Sequence, residues 1–193
     1  MIATSLIQVA TNNDIARIID AMTLAFATDP IVRWMYPDSQ QYLKQFPNFV
    51  KAFGSKSIEN NTTYFIEGYK GAAFWFPPNT EPDEEALGNL LQQTVSHAEE
   101  VFGLLEQMSH YHPSEPCWYL GILGVDPIQQ GQGYGSALME DILALCDREK
   151  KVAYLESSKL SNIPFYERRG FEVMGQIQAG DSPTLFPMVR NPR

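Results

Sequence analysis

The stretch that decides the reading is GVDPIQQGQGYGSALMEDIL, residues 124–143. Gly131, Gly133 and Gly135 alternate with Gln132 and Tyr134. Ser136 then opens an amphipathic run whose Leu138, Ile142, Leu145 and Cys146 share one side of a helix. A helix N-terminus presents unpaired N–H groups and a partial positive charge. Glycine lets a phosphate approach that backbone and adopts turn conformations closed to other residues. The apolar run WYLGILGV (118–125) precedes the glycines and VAYLESS (152–158) follows the helix, both reading as strands. The order strand, glycine turn, helix, strand predicts an anion cradle, set against the plainer alternative of an ordinary glycine-rich turn.

The phosphate ligand is narrowed by what the loop lacks. No lysine follows the glycines, so a GxxxxGK[ST] nucleotide loop is excluded. A dinucleotide fingerprint needs GxGxxG directly after a strand, whereas Gly131 to Ser136 ends in serine and residues 126–130 intervene. Glu156, at the spacing of a ribose-binding acid, keeps that alternative open, although too little chain follows Trp118 for a full doubly wound sheet.

VDPIQQGQGYGSALM resembles the pyrophosphate loop of the GNAT superfamily of N-acetyltransferases, with Gln130, Gly133 and Gly135 filling its [QR]xxGx[GA] pattern. WYLGILGV looks like the superfamily's central strand and NIPFYERRGFEV (162–173) like its closing helix and strand. Farther forward, AFATDPIVRWMYPD (25–38) and FWFPP (74–78) look like the front half of a subgroup that includes antibiotic-modifying acetyltransferases. The resemblance implies a single N-acetyltransferase domain over residues 1–193, α/β (α+β) in class, with a mixed central sheet flanked by helices. It implies acetyl-CoA as cofactor, its pyrophosphate at Gln130, Gly131, Gln132, Gly133, Tyr134, Gly135 and Ser136. The backbone around Leu123 and Val125 would hold the pantetheine arm as an added strand, a nearby N–H facing the thioester oxygen. Tyr166 becomes the general acid for the departing thiolate, and Asn162 a cofactor contact. The sequence departs from the pattern twice. Lys159 stands where relatives often carry asparagine, seven positions before the tyrosine, and Cys117 where the subgroup often has histidine.

Acetyl transfer to an amine needs a neutral nucleophile. An alkylammonium with a pKa near 10.4 is neutral in only about one molecule in 2,500 at pH 7, a deficit of roughly 4.6 kcal/mol. Glu156, flanked by apolar strand residues, is the candidate base, because burial raises a carboxyl pKa; a structural strand-end Glu is the competing reading. His110 and His112 precede Pro113 in an expected loop, where an imidazole can relay protons or simply be exposed. Asp126 reads as a turn former before Pro127.

The rest of the chain supports one α/β unit. SLIQVA (5–10) reads as a strand, and residues 11–26 as a helix capped by Thr11 and stopped or bent at Asp29-Pro30. Residues 40–54 carry a helical stripe interrupted by Pro47, giving either a kink or two short helices. TTYFIEGYKGAAFWFPP (62–78) reads as a hairpin. Residues 81–112 are helical with an acidic start and Gly103 as the break point. FEVMGQIQ (171–178) reads as a strand, and PTLFPMVR (183–190) as a last strand at a sheet edge, given its prolines.

Bulk properties set outer limits. The 193 residues carry a net charge of −9, which argues against nucleic-acid binding and favours a cationic small molecule or basic peptide. The expected acceptor is therefore a small-molecule or peptide amine. Hydrophobic content of 44% and charged content of 19% fit a soluble globular protein. No apolar run approaches the ~20 residues of a membrane span, the N-terminus makes a poor signal peptide, and the two cysteines form no metal or redox motif. A cytoplasmic enzyme without a metal is expected. The rivals are a non-catalytic module sensing acyl-CoA or nucleotides, which needs neither Tyr166 nor Glu156, and an NAD-dependent oxidoreductase.

Overall fold

The computed structural model describes residues 6–193. Its centre is a seven-stranded sheet: β1 (Ile7–Val9), β2 (Thr63–Ile66), β3 (Gly71–Phe76), β4 (Trp118–Val125), β5 (Ala153–Ser157), β6 (Glu172–Val173) and β7 (Phe186–Arg190). The spatial order is β1-β2-β3-β4-β5-β7-β6, and only β4 and β5 run parallel. A sheet with one parallel pair is no doubly wound dinucleotide fold. The remaining elements are α1 (Ile15–Ala25), α2 (Pro30–Met35), α3 (Ser39–Glu59), α4 (Glu84–Thr94), α5 (Ala98–Tyr111), α6 (Tyr134–Glu149) and α7 (Ile163–Glu167).

Strand alternation divides the core between two faces. Phe74, Phe76, Tyr119 and Tyr154 pack with α1–α5. Ala73, Trp75, Trp118, Leu120, Ala153 and Leu155 pack with α6 and α7. Glu156 follows Leu155, so it points to the α1–α5 face. The ladder between β3 and β4 pairs Phe74 with Ile122 and Trp75 with Leu120, which leaves Gly121 as an extra residue. This bulge bends β4. A Cβ at Gly121 would lie 2.5 Å from the Phe53 ring, so only glycine fits.

Beyond the bulge β4 leaves β5. The two strands pair only at Trp118↔Ala153 and Tyr119↔Tyr154. Among the described residues, the β5-facing edge of β4 has no strand partner from Leu120 to Val125, and a wedge opens between the strands.

Several sequence expectations shift. Helix α1 begins at Ile15, not beside Thr11; the Thr11 N–H and hydroxyl both donate to the Asp14 carboxylate, at 2.9 and 2.6 Å. Ser5 of the first expected strand lies outside the described residues. Asp29 and Pro30 begin α2 as well as ending α1: Pro30 takes the first helical position, where its missing N–H costs nothing. Pro47 sits inside one continuous α3, stabilised by a ladder of stacked rings in which Tyr42–Phe46, Phe46–Phe49 and Phe49–Phe53 centroids lie 5.2, 5.9 and 5.7 Å apart. The carbonyl it frees belongs to exposed Leu43, where water can replace the bond. The helical span 81–112 breaks at residues 95–97, not at Gly103, which lies within α5. His110 is consequently in a helix, not a loop. β7 is interior, between β5 and β6, not at an edge. Pro187 is tolerated because its carbonyl accepts from Met174 on the β6 side, which turns its ring nitrogen away from the β5 ladder.

Candidate active site

The glycine turn closes one end of the wedge. Asp126 accepts from the Ile128 N–H at 3.1 Å and caps a single 3-10 turn, residues 127–129. Gly131 and Gly133 then have φ of +76° and +84°, conformations that a side chain resists. Among the described residues, the N–H groups of Gln132, Gly133, Tyr134 and Gly135 have no backbone acceptor. They gather at the start of α6, the positive end of its dipole. Gly135 keeps the floor bare, since a Cβ there would lie 3.3 Å from the Phe165 ring. Ser136 is held from behind by Arg169, whose guanidinium donates to its hydroxyl and stacks 3.8 Å above the Phe165 ring.

A cavity of about 340 Å³ lies over this cradle, and a second of about 310 Å³ continues it between the diverging strands. Together these two spaces form one cleft. Leu123, Val125, Gln130, Gly131, Gly133, Tyr134, Gly135, Ser136 and Asn162 border the cradle. Gln132 does not; its amide turns to the Gln129 side chain at 3.2 Å. Asn162 and Tyr166 border both parts of the cleft, while Lys159 borders only the second. Burial pushes the Tyr166 phenol up to about 12, Arg169 opposing and Asp29 adding to the shift, so the hydroxyl holds its proton at neutral pH.

Glu156 faces the same cleft from β5. Burial pushes its carboxyl up to about 7, opposed by the neighbouring hydroxyls of Tyr119 and Tyr154. Among the described residues the Tyr154 hydroxyl has no closed hydrogen bond, so it tempers the shift without locking the carboxylate. Glu156 also borders two spaces on the α1–α5 face: an inner chamber of about 140 Å³ and an outer vestibule of about 590 Å³. The cleft and the vestibule therefore share this one carboxylate in their walls.

One further group, Asp29, was not legible as a site residue in the sequence, and His112 was named there only as one of two loop histidines. Asp29 is buried, and one carboxylate oxygen accepts the N–H groups of Ile31 and Val32, both at 3.1 Å. Its other oxygen accepts the Ser158 hydroxyl, tying α2 to the end of β5 across the wedge. His112 caps α5, its ring centroid 5.6 Å from that of Tyr119 and 5.0 Å from that of Tyr154. Its Nε2 stands 4.0 Å from the Cys117 sulfur, so an imidazole does occupy the neighbourhood where the subgroup often carries histidine. The Asp-Pro pair signalled only a helix stop or bend, and Ser158 and Tyr154, which meet Asp29 and His112, come from distant chain. Among the described residues no cluster of metal-ligating side chains occurs, and no described helix is long and apolar enough to cross a membrane.

Residues 84–191 match the acetyltransferase (GNAT) domain family. A Schizosaccharomyces pombe protein described as an uncharacterized N-acetyltransferase is 50% identical over 78 residues, which span 39% of this chain and 32% of that protein. Three solved structures share the fold over nearly the whole chain. A Corynebacterium glutamicum protein described as histone acetyltransferase HPA2 and related acetyltransferase superposes with a TM-score of 0.68 at 23% identity, covering 97% of this chain and 96% of its own. Arylalkylamine N-acetyltransferase 2 of Aedes aegypti gives 0.71 at 14% identity, with coverages of 97% and 98%. The polyamine N-acetyltransferase of Drosophila melanogaster gives 0.66 at 13% identity, with coverages of 96% and 98%.

Proposed function

The chain belongs to the GNAT acetyltransferase family, and on that premise we propose that it transfers an acetyl group from acetyl-CoA to a primary amine by direct attack within one domain. The observation that carries this reading is the placement of Glu156, whose carboxylate borders the cleft and both spaces of the α1–α5 face. Family enzymes use acetyl-CoA as co-substrate, and the residues here fit it. The bare glycine cradle with its free N–H groups suits a pyrophosphate. The unpaired edge of β4 at Leu123 and Val125 suits an extended amide-bearing arm. Gln130, Tyr134, Ser136 and Asn162 complete the rim, with Gln132 contributing backbone alone. When bound, acetyl-CoA supplies the acetyl group as an activated thioester.

The chain's own groups then divide the work. Glu156 takes a proton from the incoming ammonium; with its carboxyl raised to about 7 it is half ionised near neutrality, a suitable strength for a general base. The amine nitrogen forms its bond to the acetyl carbon as the carbon–sulfur bond breaks. A backbone N–H of β4 near Val125 stabilises the negative oxygen. Tyr166, protonated and bordering both parts of the cleft, donates to the departing sulfur and regains the second proton that the nitrogen sheds as the amide forms. His112 borders the vestibule beside Glu156 and is placed to pass the base's proton outward. Solved relatives described as acting on arylalkylamines and polyamines support small amines as the acceptor class. A cytoplasmic location belongs to the same reading, and the free thiols of Cys117 and Cys146 accord with it.

The test is calorimetric titration of dialysed protein with acetyl-CoA and NAD, followed by CoA release with a panel of amines. Acetyl-CoA binding with amine-dependent release supports the proposal. Binding with no release for any amine leaves a sensing module, and binding of NAD alone removes the proposal.

A further inference from the structure

The inner chamber is amphiphilic along its length. At one end stand Asp29, Glu156 and Ser158, all three of which also border the cleft. The far end is walled by apolar side chains from α3, α4 and α5, among them Phe46, Phe49, Leu91, Val101 and Leu104. Protein interiors close up to crystal-like density and seldom leave such a space without use. Its volume, about 140 Å³, is that of a cavity that accepts a benzene-sized molecule.

Charge narrows the occupant further. Among the described residues, no lysine or arginine borders the chamber or the vestibule. The vestibule carries the carboxylates of Glu81, Glu84 and Glu106, which draw a cation inward. Inside the chamber the Asp29 carboxylate is already taken by the Ile31 and Val32 N–H groups and the Ser158 hydroxyl. Glu156 is left to receive one ammonium, and the apolar end offers nothing to a second.

We propose that the acceptor is a monoamine on an apolar body of about phenyl or four-to-six-carbon size, its nitrogen at Glu156 and its body in this chamber. This rests on the acetyl-transfer reading above. It separates the two amine classes named for the solved relatives, because a polyamine would have to leave a bare cation among the rings.

The test uses the full chain with acetyl-CoA and measures kcat/KM for propylamine, butylamine, pentylamine, hexylamine and phenethylamine. 1,5-Diaminopentane serves as the match to hexylamine, with an ammonium in place of its last methyl. We expect kcat/KM to climb about fourfold per added methylene until the chamber is full. Hexylamine should exceed the diamine by at least about tenfold. Val101→Phe, which narrows the chamber, should lower the hexylamine-to-propylamine ratio by about tenfold; if that variant does not fold, the wild-type series decides alone. Acetylation that is indifferent to chain length, or a diamine equal to or better than hexylamine, overturns this inference and leaves acetyl transfer standing. Failure to acetylate any amine, by protein that binds acetyl-CoA, overturns both.

Discussion

Replacing Glu156 by glutamine separates its chemical from its structural effect. A base is needed most when the amine is protonated, so turnover of Glu156→Gln should fall well below wild type at pH 7 and approach it at pH 9. Equal loss at both pH values would leave Glu156 a binding or structural role. Stability should move the other way. The folded-state carboxyl sits above its ordinary 4.5, at about 7. Its contribution is fully present below about 4.5 and is lost as pH rises through about 7. The variant escapes that loss, so it should match wild type near pH 4.5 and exceed it by about 1–3 kcal/mol at pH 8 by denaturant unfolding. Tyr166→Phe keeps the ring; turnover should fall by about 10²–10⁴ with acetyl-CoA affinity changed by about 1 kcal/mol or less. Near wild-type turnover would reduce the hydroxyl to packing. Both residues were legible because each stands in a local pattern: a lone acid in an apolar strand, and a tyrosine in FYERRGF. Asp29 was not, since what distinguishes it is Ser158, far away in the chain; His112 was named as one of two loop histidines, and its packing on the distant Tyr154 is what sets it apart from His110.

At the scale of elements, the cradle and the α2–β5 tie can be tested apart. Gly133→Asp sets a carboxylate and a side chain where φ is +84° and the N–H groups converge. Acetyl-CoA affinity should drop by about 10²-fold or more, by calorimetry on variant shown to fold, as like charge meets pyrophosphate. Unchanged affinity would move the cofactor elsewhere. Asp29→Ala removes a helix cap and the partner of a half-buried hydroxyl, and should cost about 2 kcal/mol in unfolding free energy. Sequence signals served well where they were local, as in the acidic start of the 81–112 span, where the Asp83 carboxylate caps α4 at 3.0 Å from the Ala86 N–H. They misled where distant chain decides. The α4–α5 break carries no glycine or proline; the Gln41 amide and the Tyr36 hydroxyl, from α3 and the end of α2, hold Thr94 at 2.8 and 3.2 Å. Gly103, the expected break, is an ordinary helical residue against Ala179. The prolines of β7 suggested an edge because only the pairing shows that the Pro187 nitrogen faces the frayed end of β6.

For the whole molecule, the strand–glycine–helix–strand order was enough to locate the glycine cradle, while the chamber and vestibule proposed for the acceptor depend on how five helices cover the other face. Helical stripes such as Phe46-Phe49-Phe53 read equally as core or as pocket wall, and the bulge at Gly121 that opens the wedge left no mark beyond one glycine. A chain of net charge −9 with Glu81, Glu84 and Glu106 around the vestibule should attract cationic amines over a Debye length of about 10 Å at 0.1 M salt. Raising salt from about 0.02 to 0.5 M, or converting the three to glutamine, should lower amine kcat/KM several-fold with a smaller change in kcat; insensitivity to both would put the entry route elsewhere. The central claim is that one acetyl group passes from acetyl-CoA to one amine at Glu156. Its most direct measurement is mass-spectrometric counting of CoA and N-acetylamine formed from acetyl-CoA and hexylamine or phenethylamine. Equal amounts of the two products from the wild type, with both falling together in Tyr166→Phe, are the expected result. Release of CoA without acetylated amine, or no reaction by protein that binds acetyl-CoA, would contradict it.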